Sequence, residues 1–192
     1  MKKLQQIYSG LRPYADVIRF MVVLLVGNAL WKLTFQGDEA GNYITFLGND
    51  LTYFFSVASA HVAKACYMVV HAFEDTAQLV YGHIITFPNN TTISVVWGCS
   101  AVKQGLLFTL IMLCARGKWV HKLWFIPLGW LMVYAFNILR ISIIALLIHH
   151  HPTWFEFLHT YLFKYLFYGM IFVLWVVWTE RFTNQSSKEN NH

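Results

Sequence analysis

Three side chains in the second half of the chain could together perform acyl transfer: Cys99, Arg140 and His159. Cys99 precedes an apolar run and so falls at an expected helix start. There the macrodipole supplies about half a positive charge and free N–H groups point outward. Lys103 follows four residues on, on the same helical face, and both features favour a thiolate. Cys66 and Cys114 sit inside apolar runs and read as small hydrophobes. Arg140 interrupts an otherwise uncharged apolar stretch, where an Arg near mid-helix costs about 2.5–3.5 kcal/mol on insertion scales. Its side chain is expected to snorkel outward, with Asn137 on the same face, three residues earlier, placed to hold the guanidinium. His159 stands before the last apolar run. A thiol, a cation and a proton carrier converging on one pocket is what nucleophilic acyl transfer requires. The plainer alternative is a non-catalytic membrane assembly or carrier protein, with Cys99 packing, His159 at an interface and Arg140 structural.

The remaining histidines do not suggest a metal. His149, His150 and His151 are consecutive, so on a helix end they splay around the axis. Zinc asks for three or four ligands closing a tetrahedron. A haem bundle would need histidines deep in two facing helices. There is no CxxC pair, Gly-rich phosphate loop or internal repeat. No metal and no cofactor are expected.

These residues must be positioned by elements that a very apolar chain can form. Of 192 residues, 57% are apolar and 12% charged, about half the roughly 25% charge of a soluble domain. Eight Trp, ten Tyr and sixteen Phe suit a chain with membrane interfaces to occupy. The composition excludes an ordinary cytosolic enzyme, a disordered tail and a nucleic-acid-binding domain. It implies one all-α integral-membrane domain over residues 1–182, with residues 183–192 a disordered polar tail.

A spanning helix needs about 20 mostly apolar residues. Four stretches qualify: Val17 to Phe35, Ser100 to Arg116 (short), Leu123 to Ile148 and Tyr161 to Thr179. The first resembles a secretory signal, but Leu30 and Trp31 stand where a cleavage site would be, so it reads as a retained anchor. Residues 1–19 carry net +3 and residues 36–98 net −4, while Arg116, Lys118 and Lys122 make the next turn basic. Basic loops stay in the cytoplasm. The amino end and the 116–122 turn are thus expected inside a cell membrane, with residues 36–98 and 149–160 outside. That parity makes Leu51 to Phe73 an amphipathic helix in the outer interface, with Thr52, Ser56, Ser59, Lys64 and His71 on its polar side. Tyr81–Phe87 and Thr91–Trp97 flank Pro88-Asn89-Asn90 and predict an extracytoplasmic β-hairpin delivering Cys99 to the second span.

Cys99-Ser100, then Asn137-x-x-Arg140-Ile141 inside a long span, then His159 before the last span resembles the exosortase/archaeosortase family. The resemblance covers about Tyr81 to Trp178, making residues 81–178 the catalytic core. It implies a membrane-embedded cysteine transpeptidase acting on proteins with a carboxy-terminal sorting signal: a short motif, a transmembrane helix and a basic cluster. It further implies Cys99 as nucleophile, His159 as proton carrier, Arg140 as oxyanion or substrate clamp, and Ser100, Lys103 and Asn137 in support. Membrane lipids and a lipid or glycan acceptor are the other implied partners, with no nucleic acid. The family usually has Gly two residues after the Cys, where this chain has Ala101.

Overall fold

The computed structural model describes residues 14–39, 41 and 43–183. Lys2, Lys3 and Arg12 of the basic amino end, and residues 184–192 of the expected tail, lie outside them.

Helix α1 (Ala15–Thr34) leads into a three-stranded antiparallel sheet of β1 (Phe35–Asp38), β2 (Tyr43–Phe46) and β3 (Asn49–Asp50). Helix α2 (Thr52–Phe73) follows, then a second three-stranded sheet of β4 (Gln78–Val80), β5 (Ile84–Thr86) and β6 (Thr92–Ser94). A 3-10 turn (Trp97–Cys99) precedes α3 (Val102–Cys114), which turns back into the long α4 (Trp119–His150). A π-helical turn (Phe157–Leu162) then runs into α5 (Phe163–Trp178). The fold is mostly helical, and the expected all-α class must admit two small sheets. Among the described residues, four helices are long and apolar enough to cross a membrane: α1, α2, α4 and the helix containing α5. α3 is shorter, about 20 Å at 1.5 Å per residue.

α1, α3, α5 and the first half of α4 pack around one core that includes Phe20, Phe108, Ile111, Val133, Ile171 and Trp178. Small residues permit the closest contact: a Cβ at Gly129 of α4 would collide with the Phe108 ring, and one at Gly105 of α3 with Trp130. The hairpin between α3 and α4 is fixed by Lys122. Its ammonium donates to the carbonyls of Ala115 (2.7 Å) and Leu113 (3.1 Å). It thus brings a cation to carbonyls that the end of α3 leaves unpaired. Trp178 Nε1 donates to the Arg116 carbonyl at 2.8 Å, and Arg116 pairs with Asp16 at 3.7 Å.

The second half of α4 belongs to a different core, shared with α2 and the second sheet through Val62, Cys66, Val70, Ile85, Phe87 and Ile144. The start of α2 meets the far ends of α1 and α3: Phe55 touches Trp31, Phe35 and Trp97. From there α2 runs alongside α4 in the same direction, as His61 meets Tyr134 (2.8 Å) and Cys66 Sγ meets the Ile138 carbonyl (3.8 Å). It therefore continues beyond α1, end to end, rather than lying beside it. The polar side read from its helical wheel is not one wet face. Ser59 is buried and donates to the Ser56 carbonyl of its own helix.

β5 and β6 pair antiparallel across the Pro88–Asn90 turn, with Ile85 opposite Ile93. The strands are shorter than the expected Tyr81–Phe87 and Thr91–Trp97: Tyr81 and Gly82 turn through positive φ before β5, and the chain enters the 3-10 turn at Trp97 soon after β6. The first sheet and strand β4 were not foreseen.

Gly129→Val would force Phe108 out of the α3–α4 contact. Overpacking of this kind costs about 1–3 kcal/mol. A lowered thermal unfolding midpoint of the detergent-solubilised protein is expected, and an unchanged midpoint would contradict the packing described.

Candidate active site

The 3-10 turn holds Cys99 at the end of α3 remote from Arg116. The Cys99 N–H donates to the Val96 carbonyl (2.8 Å) and the Ser100 N–H to the Trp97 carbonyl (3.1 Å). Ala101 then takes a left-handed conformation, φ 64°, and only at Val102 does the α-helix begin. Cys99 is thus not in the first turn of α3, and the expected dipole activation must be corrected. The chain reverses sharply between the thiol and the helix axis.

Asn137 supplies the second fixing point. Its amide, 1% exposed, donates to the Cys99 carbonyl at 2.7 Å across 38 residues. The sequence placed this side chain against Arg140; the structure gives it to the backbone of Cys99. One helical turn on, Arg140 is 8% exposed, and its Nε has no hydrogen-bond partner among the described residues. His159 lies in the π-helical turn, its ring stacked on Phe155 with centroids 5.2 Å apart. Such turns insert a residue into the helical ladder and re-aim side chains.

All three candidates line one cavity of about 330 Å³, together with Ser100, Lys103, Gln104 and Lys164. Trp31, Trp97, Tyr168 and Phe167 give it aromatic walls. Sequence reasoning missed Glu39, the cavity's acidic residue, carried by the turn after β1. Nothing in the local sequence marks it, because only the first sheet brings it here. Burial pushes the Cys99 thiol above its usual range. The Arg140 guanidinium pulls it down, the Glu39 carboxylate adds to the rise, and a backbone contact at Val96 lowers it again. Arg140, rather than the expected Lys103, is the cation that bears most directly on the thiol. The imidazoles of His149 and His151 stack on Phe87 and Trp154 respectively, away from this cavity.

The left-handed Ala101 gives a physical reason for a Gly at this position: backbone conformation. An L-residue there costs about 1–2 kcal/mol, while the buried methyl returns about 0.8 kcal/mol. Ala101→Gly is therefore expected within about 1 kcal/mol of the parent in thermal unfolding. Ala101→Val combines a branched side chain at positive φ with overpacking and should lose about 1–3 kcal/mol. A valine variant of parental stability would contradict the left-handed turn.

The model of the transmembrane exosortase family (Exosortase_EpsH) matches residues 20–179. No curated protein and no solved structure matches the chain.

Proposed function

The chain belongs to the transmembrane exosortase family, and from that premise we propose that it is a cysteine transpeptidase of the cell membrane. It would cleave a carboxy-terminal sorting signal and pass the new carboxyl end to an acceptor. The observation that carries this reading is the single cavity shared by a thiol, a guanidinium and an imidazole from three separate elements. A purely structural Arg140 would be expected to spend its donors on backbone carbonyls, yet its buried Nε has no such partner.

The steps follow from the groups present. The Cys99 proton passes to His159, and the sulfur attacks the carbonyl carbon of the scissile peptide. The resulting oxyanion is stabilised by Arg140, whose charge acts more strongly in a water-poor site than in bulk. The tetrahedral adduct collapses, the C–N bond breaks, and the imidazolium gives its proton to the leaving amine. An acceptor, lipid, glycan or water, then attacks the thioester while His159 takes its proton and returns it to the departing sulfur. Asn137 holds the nucleophile's backbone, and Ser100 and Lys103 line the approach.

Processing of a tagged substrate, followed by mass spectrometry of its new carboxy terminus, tests the reading. Cys99→Ala should abolish processing, whereas Cys66→Ala and Cys114→Ala should retain it in proportion to inserted protein. Arg140→Lys keeps the charge but loses the planar fork. It should cost about 2.7–4 kcal/mol, or 10²–10³ in rate. Processing by Cys99→Ala at normal expression would end the proposal.

The charge distribution supports a multi-pass orientation with the Arg116 end in the cytoplasm and the cavity on the extracytoplasmic side. α2 and the second sheet then stand on the extracytoplasmic side of α1, along the second half of α4. An Asn90→Cys variant should react with a membrane-impermeant maleimide on intact cells. Reaction only after lysis would reverse the orientation.

A further inference from the structure

Glu39 has a use that the mechanism above leaves unassigned. Its carboxylate is seated on the backbone of Gly98, the residue before the thiol, so closely that a Cβ on Gly98 would overlap it. The seat is built by the first sheet, where Asp38 pairs with Tyr43, and by Trp97, whose Nε1 donates to the Asp38 carbonyl at 3.3 Å. The charged and titratable groups around Cys99 come from every neighbouring element. They are Glu39 from the first sheet's turn, Cys66 from α2, Lys103 from α3, Arg140 from α4, His159 from the π-helical turn, and Lys164 and Tyr168 from α5. Lys32, in the last turn of α1, lies close enough to repel Lys103. Three cations (Lys103, Arg140, Lys164) against one carboxylate leave the lining at net +2 with His159 neutral. Positive charge in the lining favours the thiolate and opposes the rise that burial imposes.

We propose that Glu39 is a positioning residue of this site: a fixed counter-charge to Arg140 that limits how much of the guanidinium's field reaches Cys99. Both Arg140 and Cys99 lie within electrostatic range of this carboxylate. Added to burial, which acts most strongly, it helps keep the resting nucleophile as a thiol, the form least open to oxidation. The inference rests on Cys99 being the reactive thiol, but not on the identity of any substrate.

The test is alkylation of the full-length protein by neutral iodoacetamide over a range of pH, read at Cys99 by site-resolved mass spectrometry on the monodisperse fraction. Because Glu39 is exposed, Glu39→Gln is expected to leave the fold intact. Removing a negative charge favours the thiolate, so the Cys99 labelling midpoint should move to lower pH, by about one unit. Below the midpoint, labelling should then be about tenfold faster. Gly98→Ala, which must push the carboxylate aside, should shift the midpoint the same way by less. It should add nothing in the Glu39→Gln background. Arg140→Gln should move it upward. A Glu39→Gln profile that superimposes on the parent's, or shifts upward, overturns the proposal, as does a Gly98→Ala variant labelled like the parent. No substrate enters this assay. Failed processing chemistry with an intact shift would therefore sink the transpeptidase reading alone, and an unmoved profile would sink this one alone.

Discussion

A guanidinium in the middle of a long apolar helix cannot be left to hydrocarbon, and the half of this molecule beyond the end of α1 is arranged around that constraint. Arg140 lies ten residues before the end of α4, so about 15 Å of helix continues past it. That stretch is covered by α2, by the second sheet, by Leu158 of the π-helical turn and by Phe163 just after it. The opposite half of α4 is packed by α1, α3 and α5. The two cores meet near Arg140, and the cavity opens between them. A polar space at that junction gives the charge somewhere to point without a passage through lipid.

The same junction explains why the thiol is delivered by a turn. If α3 simply continued through Cys99, the residue would point wherever the helix phase dictated. The left-handed Ala101 breaks that phase, and Asn137 ties the Cys99 carbonyl to α4. Position is thus set by backbone geometry and one buried hydrogen bond. The thiol forgoes the helix dipole, so its acidity depends on burial and on side-chain charge. Arg140 lowers it and Glu39 raises it.

Much of this was legible in the sequence because membrane solvation leaves few options. Long apolar runs and a lone Arg within one of them have few readings in a chain with 12% charged residues. Cys99, Arg140 and His159 could be grouped because spans of alternating direction bring alternate loops to one side. What was not legible depends on contacts distant in sequence. Asn137 shares a helical face with Arg140, so local spacing pairs them, but the Cys99 carbonyl competes and wins. Ser59 reads as surface on a wheel, yet a hydroxyl can satisfy itself on its own helix and be buried. Glu39 belongs to no local pattern, since strands of two to four residues gain their meaning only on pairing.

Depth links the fold to the proposed chemistry. α1 has 20 residues, about 30 Å of helix, which matches the hydrocarbon thickness of a bilayer. Its last turns carry Trp31 and Lys32, and Trp31 lines the cavity. The cavity therefore sits at the level where a helix of ordinary spanning length emerges. Aromatic rings are favoured at that boundary, and lysines there can extend toward water. A substrate anchored by one transmembrane helix would present the residues just beyond its outer end at this same level. A nucleophile higher in the outer layer would need that helix lifted from the bilayer. One deeper in the core would need its polar motif drawn into hydrocarbon. The turn at Cys99, set where α1 ends and α2 and α3 begin, avoids both costs.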